Sequence, residues 1–326
     1  MNTIGNLRLR PMHYYILLLA SMEQIIGAAL STLVGIMLPM IQLLTQPELS
    51  TFVQGLIGAA GLIGIGLGSA VIGAVIDRQG YLLWFRLCPL IIMAGAAMVY
   101  FRPSLLTLGI GFFISGIGVG GGYSLDSAYI SELMPACRRS FMVGVAKGLC
   151  AVGFIGAAVI CYFILRSDPS PAIWPKLAII IAAMGLITLL LRIYWVESPE
   201  WLMQQGRTAE AQKAAARMFG PGVTANPLPA REMTLPFRDL FKGENLKRVI
   251  FSGIPWACEG VGVYGIGVFL PVLVMALGLQ SATEYGMPKI ISSVEITAFV
   301  NFFILPGFVL GLWLARRHNH VKLLAW

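Results

Sequence analysis

Four ionisable residues stand inside runs of otherwise apolar sequence: Glu23, Asp126, Lys147 and Glu259. A charge at the centre of a membrane-spanning helix costs about 2.5–3.5 kcal/mol on insertion scales, so each needs a role that offsets it. A carboxylate in apolar surroundings can load and release a proton, and a lysine there can hold an anion. Lys147 also has a plainer reading, in which it pairs with an in-membrane carboxylate or reaches along its stem to the nearby membrane edge. More charges gather where apolar runs end. Glu132 lies seven residues before Arg139, which follows Arg138, and Glu197 opens Glu197-Ser198-Pro199-Glu200-Trp201-Leu202. Asp77 and Arg78 close an earlier run in Gly73-Ala74-Val75-Ile76-Asp77-Arg78-Gln79-Gly80. Seven residues are about two helical turns. An unbroken helix would therefore put Glu132 and Arg139 on one face, but Pro135 makes a bend the expectation.

The elements that hold these residues follow from composition. Of 326 residues, 57% are apolar and 12% charged, which excludes a soluble globular domain. The charges cluster between apolar stretches long enough to cross a bilayer core, about 20 residues each. Eight such stretches occur, at roughly 14–41, 52–76, 82–100, 105–130, 141–165, 173–195, 249–275 and 293–315. Met1 to Pro11 is short and polar, and the first stretch is too long for a signal-peptide core, so it is expected to be the first span. Between the sixth and seventh stretches, Val196 to Lys247 is rich in charge, Pro and Gly. Strong helix formers over Thr208–Phe219 predict a helix there, stopped by Gly220-Pro221-Gly222. The expected organisation is 1–195 as a six-helix bundle, 196–248 as a linker with short helices, and 249–326 as a partial second bundle.

The net charge of +8 reports topology. With the N-terminus cytoplasmic, only Arg102, Arg166, Lys176 and Lys289 of the 23 basic residues fall outside, leaving 19 inside. That is the positive-inside bias, and it predicts both termini and the linker in the cytoplasm, with no nucleic-acid partner. The five cysteines lack metal or disulfide spacing and read as apolar packing. His318 and His320 have no acidic or thiol neighbours to complete a metal site, and no cofactor is implied. Gly116, Gly118 and Gly121 fit a nucleotide-binding spacing but lack the strand and following acid, so close helix packing is the better reading. That packing is expected of the dense glycines from Gly55 to Gly68 and from Gly109 to Gly122. An intramembrane enzyme would need a nucleophile and base or a metal set, and a channel a filter-like loop or charge ring; none is evident.

The run Gly116-Ile117-Gly118-Val119-Gly120, Glu132 and Arg139, with Glu197-Ser198-Pro199-Glu200-Trp201-Leu202, resembles the sugar-porter-like branch of the major facilitator superfamily. Two positions depart from it: Val196 stands for the leading Pro and Glu200 for an Arg. The resemblance implies an all-α membrane fold of two six-helix bundles, rocking about a solute site near the midplane. It implies secondary active transport in a multi-pass cell membrane protein, a bacterial inner membrane being expected. It covers essentially the whole chain but eight of the family's twelve spans: a complete first bundle and two helices of the second. A truncated product, or a second polypeptide supplying the rest, is the expectation.

Residue roles follow from the same resemblance. Asp77 and Arg78 would latch the cytoplasmic side, although Tyr81 and Leu82 replace two basic residues. Glu132, Arg139 and Glu197, with Arg138 beside them, would form an ion-pair network closing the inward gate. Lys147 and Phe154 stand where sugar porters place pocket glutamines. Cys258-Glu259, Gly262-Val263-Tyr264 and Pro271 replace the seventh-span amide pattern, so the hexose-binding amides are missing. Asp126, six residues before Glu132, and Tyr264-Gly265-Ile266-Gly267-Val268-Phe269-Leu270-Pro271 are similar to the niacin-transporter and synaptic-vesicle-protein-like subgroup. The substrate class implied is a small organic acid, an aromatic one being suited to Lys147 beside aromatic rings. Lys147, Asp126, Glu259 and Tyr264 are expected to line the cavity, with Asp126 or Glu259 carrying a proton. Sugar-proton symporters pair a first-span carboxylate with a fourth-span arginine. Phe112 occupies that place, so Glu23 is expected to be a proton site on its own. A sugar transporter and a non-transporting remnant or binding protein are the alternatives.

Overall fold

Each apolar stretch folds as a helix long enough to cross a bilayer. The computed structural model describes residues 2–45, 49–225, 239, 241–279 and 285–317. Its eight spans are Pro11–Leu44, Thr51–Gln79, Tyr81–Phe101, Leu105–Leu133, Ala136–Ser167, Pro171–Leu191, Gly243–Ala276 and Met287–Arg317. The expected cytoplasmic C-terminus, with Lys322, lies outside the described residues. Starts are set by local chemistry. Pro11 opens span one, where its missing N–H costs nothing. Ser104 caps span four in a reciprocal box with Thr107. Span four stops at Leu133, because Met134 precedes Pro135 and takes an extended ψ of 145°. Span six ends at Leu191, earlier than the apolar stretch suggests, and leaves Arg192 at its C-terminal cap.

Three of the four in-span charges sit beside a backbone irregularity. Span one is interrupted at Ser21, whose hydroxyl donates to the Leu17 carbonyl at 2.6 Å, and Glu23 follows. Span five breaks at Leu149, just after Lys147. Span seven widens into a π-helix over Val261–Ile266, beginning two residues after Glu259. Freed backbone groups at membrane depth survive where they face protein or a cavity, so these breaks point inward.

Span one is the axis of the bundle and is buried almost throughout. Its Ser31 and Thr32 hydroxyls donate to the Gly27 and Ala28 carbonyls one turn back, so they need no outside partner. Spans two and four pack backbone to backbone. A Cβ on Gly116 would land on the Gly61 carbonyl, and one on Gly120 on that of Ile65. Gly55, Gly66 and Gly109 meet open space instead, so glycine density overstates the contact.

The linker covers one end of the bundle. Helices Pro199–Gln204 and Thr208–Phe219 form, the second ending at Gly220 with φ +98°. The chain then returns as Val223–Thr224, paired in parallel with Asn2–Thr3. Arg10 donates to the Phe219 carbonyl at 2.6 Å, and the His13 ring packs on Phe219, tying the N-terminus to the linker helix.

Span seven divides into two parts. Gly243–Gly260, nearest the linker, buries no residue, whereas Val268, Pro271 and Val274 are buried towards the far end. There the Val268 carbonyl fits against Gly35 of span one, and the Phe269 ring against Gly58 of span two. Span eight packs on span five, with Ser293, Thr297 and Asn301 buried. Span seven thus meets the bundle at the far end and leaves it towards the linker, whereas span eight follows span five to the linker end, where Leu312 approaches Gly144 and Arg316 lies 5.0 Å from the Phe141 ring centroid.

Candidate functional site

Glu23 is fully buried and held on both carboxylate oxygens by Arg192. Nη2 reaches Oε2 at 2.6 Å and Nη1 reaches Oε1. The same guanidinium donates from Nε to the Leu19 carbonyl at 3.0 Å and lies 4.6 Å from the Phe85 ring centroid. Gly122 of span four leaves room for the Glu23 side chain. Glu23 is therefore not on its own. Its arginine partner comes from the end of span six and not from the fourth-span position that Phe112 occupies. Arg192 falls inside the apolar stretch read as 173–195, and that was the signal for it. It is not a solvated topology charge.

Next to this pair, Asp126 is buried with Oδ2 accepting from Gln24 Nε2 at 3.3 Å. Its Oδ1 has no hydrogen-bond partner among the described residues. Asp126 lies behind Gln24, not in the cavity wall as expected.

The cavity occupies about 1280 Å³ between the first six spans and spans seven and eight. Lys147, Phe154, Glu259 and Tyr264 line it, together with Tyr123 and Trp256. Lys147 Nζ lies 5.2 Å from the Tyr123 ring centroid and 5.6 Å from that of Trp256. The ammonium thus rests between two aromatic faces, one from each part of the chain, an arrangement worth more where water is excluded. Tyr123 and Tyr264 hydroxyls meet at 3.2 Å across the same divide. Neither Tyr123 nor Trp256 was anticipated, although each stands one turn before a singled-out acid, Asp126 and Glu259. Gln24 and Asn301 add two amides to the wall. Asn301 Nδ2 donates to the Phe154 carbonyl at 3.4 Å.

At the linker end the expected ion-pair network is not formed. Glu132 accepts instead from the Tyr81 hydroxyl at 2.6 Å and from the Ser198 hydroxyl. Glu197 accepts from the Tyr81 and Leu82 backbone N–H groups, each at 3.0 Å, and so caps span three in trans. Among the described residues no salt bridge joins Arg138 or Arg139 to either glutamate. Arg138 is exposed, and Arg139 Nε is buried without a partner. The bend after Leu133 turns the arginines away while the carboxylates find neutral donors. Asp77 and Arg78 are exposed. Asp77 contributes its backbone carbonyl, which accepts from Trp201 Nε1 at 3.1 Å. Gly80, at φ +85°, is obligatory, since a Cβ would meet the Glu197 carboxylate at 2.6 Å.

The likeness to known proteins is consistent along the chain. The inner membrane metabolite transport protein YgcS of Escherichia coli is 29% identical over 286 residues, covering 87% of this chain and 61% of that protein. The niacin transporter NiaP of Acinetobacter baylyi is 25% identical over 330 residues, covering 99% and 71%. This chain thus spans about three fifths to seven tenths of these relatives' length. Among solved structures, a partially occluded inward-open conformation of the xylose transporter XylE from E. coli matches with TM-score 0.72. That match is 18% identical and covers 94% of this chain and 74% of XylE, which shows the fold: a first six-helix bundle followed by two helices of a second. The profile of the family described as "Sugar (and other) transporter" matches residues 21–309. With its eight apolar helices, the chain is a multi-pass membrane protein of the Sugar (and other) transporter family, in the major facilitator superfamily.

Proposed function

We propose that this chain carries the solute site of a secondary active transporter for a small organic acid, driven by protons through alternating access. The observation that carries this reading is Lys147. It is the cationic side chain of a largely apolar cavity, and it rests on two aromatic faces with no carboxylate salt-bridged to it among the described residues. An anionic solute gains a charge-assisted hydrogen bond there, and an aromatic one gains stacking on Tyr123, Trp256 and Tyr264. The bodies that rock are residues 1–195 and 249–326, joined by the 196–248 linker. With the positive-inside bias, the linker end is cytoplasmic, and closure at Gly35 and Gly58 corresponds to an inward-facing state. Asp126 carries the proton: its Oδ1 is unpartnered, whereas Glu23 is committed to Arg192.

A sugar reading has one observation in its favour, the cavity amides of Gln24 and Asn301. Both donor nitrogens are already engaged, by Asp126 and by the Phe154 carbonyl, which leaves less for a ring of hydroxyls. Competition binding to the purified chain separates the two. Nicotinate and benzoate are expected to displace one another, and Lys147→Gln to weaken both by about tenfold or more, the loss of a charge-assisted contact. Displacement by glucose and not by the carboxylates means a sugar site.

A further inference from the structure

Lys147 is not the only charge in the cavity wall. Glu259 faces the same space from span seven, on the other part of the chain. It makes no hydrogen bond to a described residue, and no salt bridge within 4 Å joins it to Lys147. The ammonium sits on Tyr123 and Trp256 instead, and Trp256 lies one turn before Glu259 on the same helix. The cavity therefore presents a cation from span five and a carboxylate from span seven, within electrostatic reach of each other but not ion-paired among the described residues, with the Tyr123 and Trp256 faces beside the cation.

A simple monoanion is poorly matched to this arrangement. Its carboxylate pairs with Lys147, but Glu259 is left without a partner and repels it once water is excluded. A solute with a positive centre across a ring from its carboxylate satisfies both groups. We infer that the solute is dipolar, an aromatic or similarly flat zwitterion whose carboxylate meets Lys147 and whose cationic nitrogen meets Glu259. This rests on the organic-acid reading above and narrows it.

The placement of the two charges gives the pairing a mechanical consequence. Lys147 stands beside the Leu149 break in span five, and Glu259 beside the π-helical turn of span seven. The part of span seven from Gly243 to Gly260 buries no residue and diverges from the bundle. A zwitterion bridging the walls draws that part towards span five and favours closure at the linker end. A monoanion engages one wall only. Selection of the solute and closure of the cavity become the same event.

The test compares N-methylnicotinate, a fixed zwitterion, with benzoate, an anion of similar size, on the purified full chain and on Glu259→Gln. Wild type is expected to bind N-methylnicotinate about tenfold or more tightly than benzoate, as close charge pairs do. Glu259→Gln removes that preference and leaves benzoate binding unchanged or tighter, whereas Lys147→Gln weakens both. Glu259 faces open cavity without hydrogen bonds, so an unchanged melting temperature is expected for its variant and is measured alongside. Equal binding of the two ligands by wild type overturns the inference while the organic-acid reading stands. So does an equal loss of both in Glu259→Gln, the pattern of a proton acceptor indifferent to the solute. If neither carboxylate binds and glucose does, both readings fall.

Discussion

Arg192 holds Glu23 through two oxygens in a site closed to water, and the balance of that pair is worth measuring. Removing one partner of a buried pair leaves an uncompensated charge and costs about 3–5 kcal/mol. Arg192→Gln is accordingly expected to lower the unfolding temperature of the detergent-solubilised protein sharply. Glu23→Gln in the Arg192→Gln background should recover much of the loss, because the double variant strands no charge. A double variant as unstable as the sum of the singles would mean that the two residues act independently. Asp126 provides the contrast. It shares the neighbourhood but takes one bond from Gln24 and leaves an oxygen without a partner among the described residues, which suits the proton-carrying role proposed for it.

At the scale of elements, the linker end shows how helix termini replace arginines. Span three begins with N–H groups that lack partners in their own helix. Glu197 supplies the acceptor from a separate segment, and Ser198 caps Pro199–Gln204 while also donating to Glu132. Tyr81 joins both, its N–H on Glu197 and its hydroxyl on Glu132. Tyr81→Phe and Glu132→Gln are therefore expected to be non-additive in a thermal-stability cycle, with a coupling of about 0.5–3 kcal/mol. Arg139→Gln should add independently to either. Coupling of Arg139 to Glu132 instead would restore the ion-pair network for this state of the protein.

For the molecule as a whole, orientation and state can be read by thiol chemistry. Cys137 is exposed at the linker end, whereas Cys88 and Cys161 are buried. In a variant retaining only Cys137, an impermeant maleimide outside intact cells is expected to leave the protein unlabelled and to react once the cytoplasmic face is opened. Labelling from outside reverses the assigned orientation. The far end gives a second readout. Span seven reaches Gly35 so closely that a side chain there collides with the Val268 backbone. Gly35→Leu is expected to part span seven from the bundle at that end, read as greater reagent access to a cysteine replacing Phe269, which stands against Gly58.

The sequence by itself determined the number and approximate extent of the spans, because apolar length is a local property matched to bilayer thickness. It also determined the linker helix over Thr208–Phe219 and its stop at Gly220, since propensity and a left-handed turn are written in adjacent residues. The Gly and Glu-Ser-Pro runs placed the chain in its family for the same reason. Pairings were another matter. Arg192 and Glu23 are 169 positions apart, and Tyr81 and Glu132 are 51 apart. Positive-inside counting absorbed Arg192 among topology charges, and motif resemblance assigned Glu132 to arginines that the bend at Pro135 carries away. Which charge meets which depends on how helices rotate about their axes and where they bend. That is decided by glycine contacts such as Gly61 with Gly116 and by breaks such as Ser21 and Leu149, and it exists only once the spans are packed.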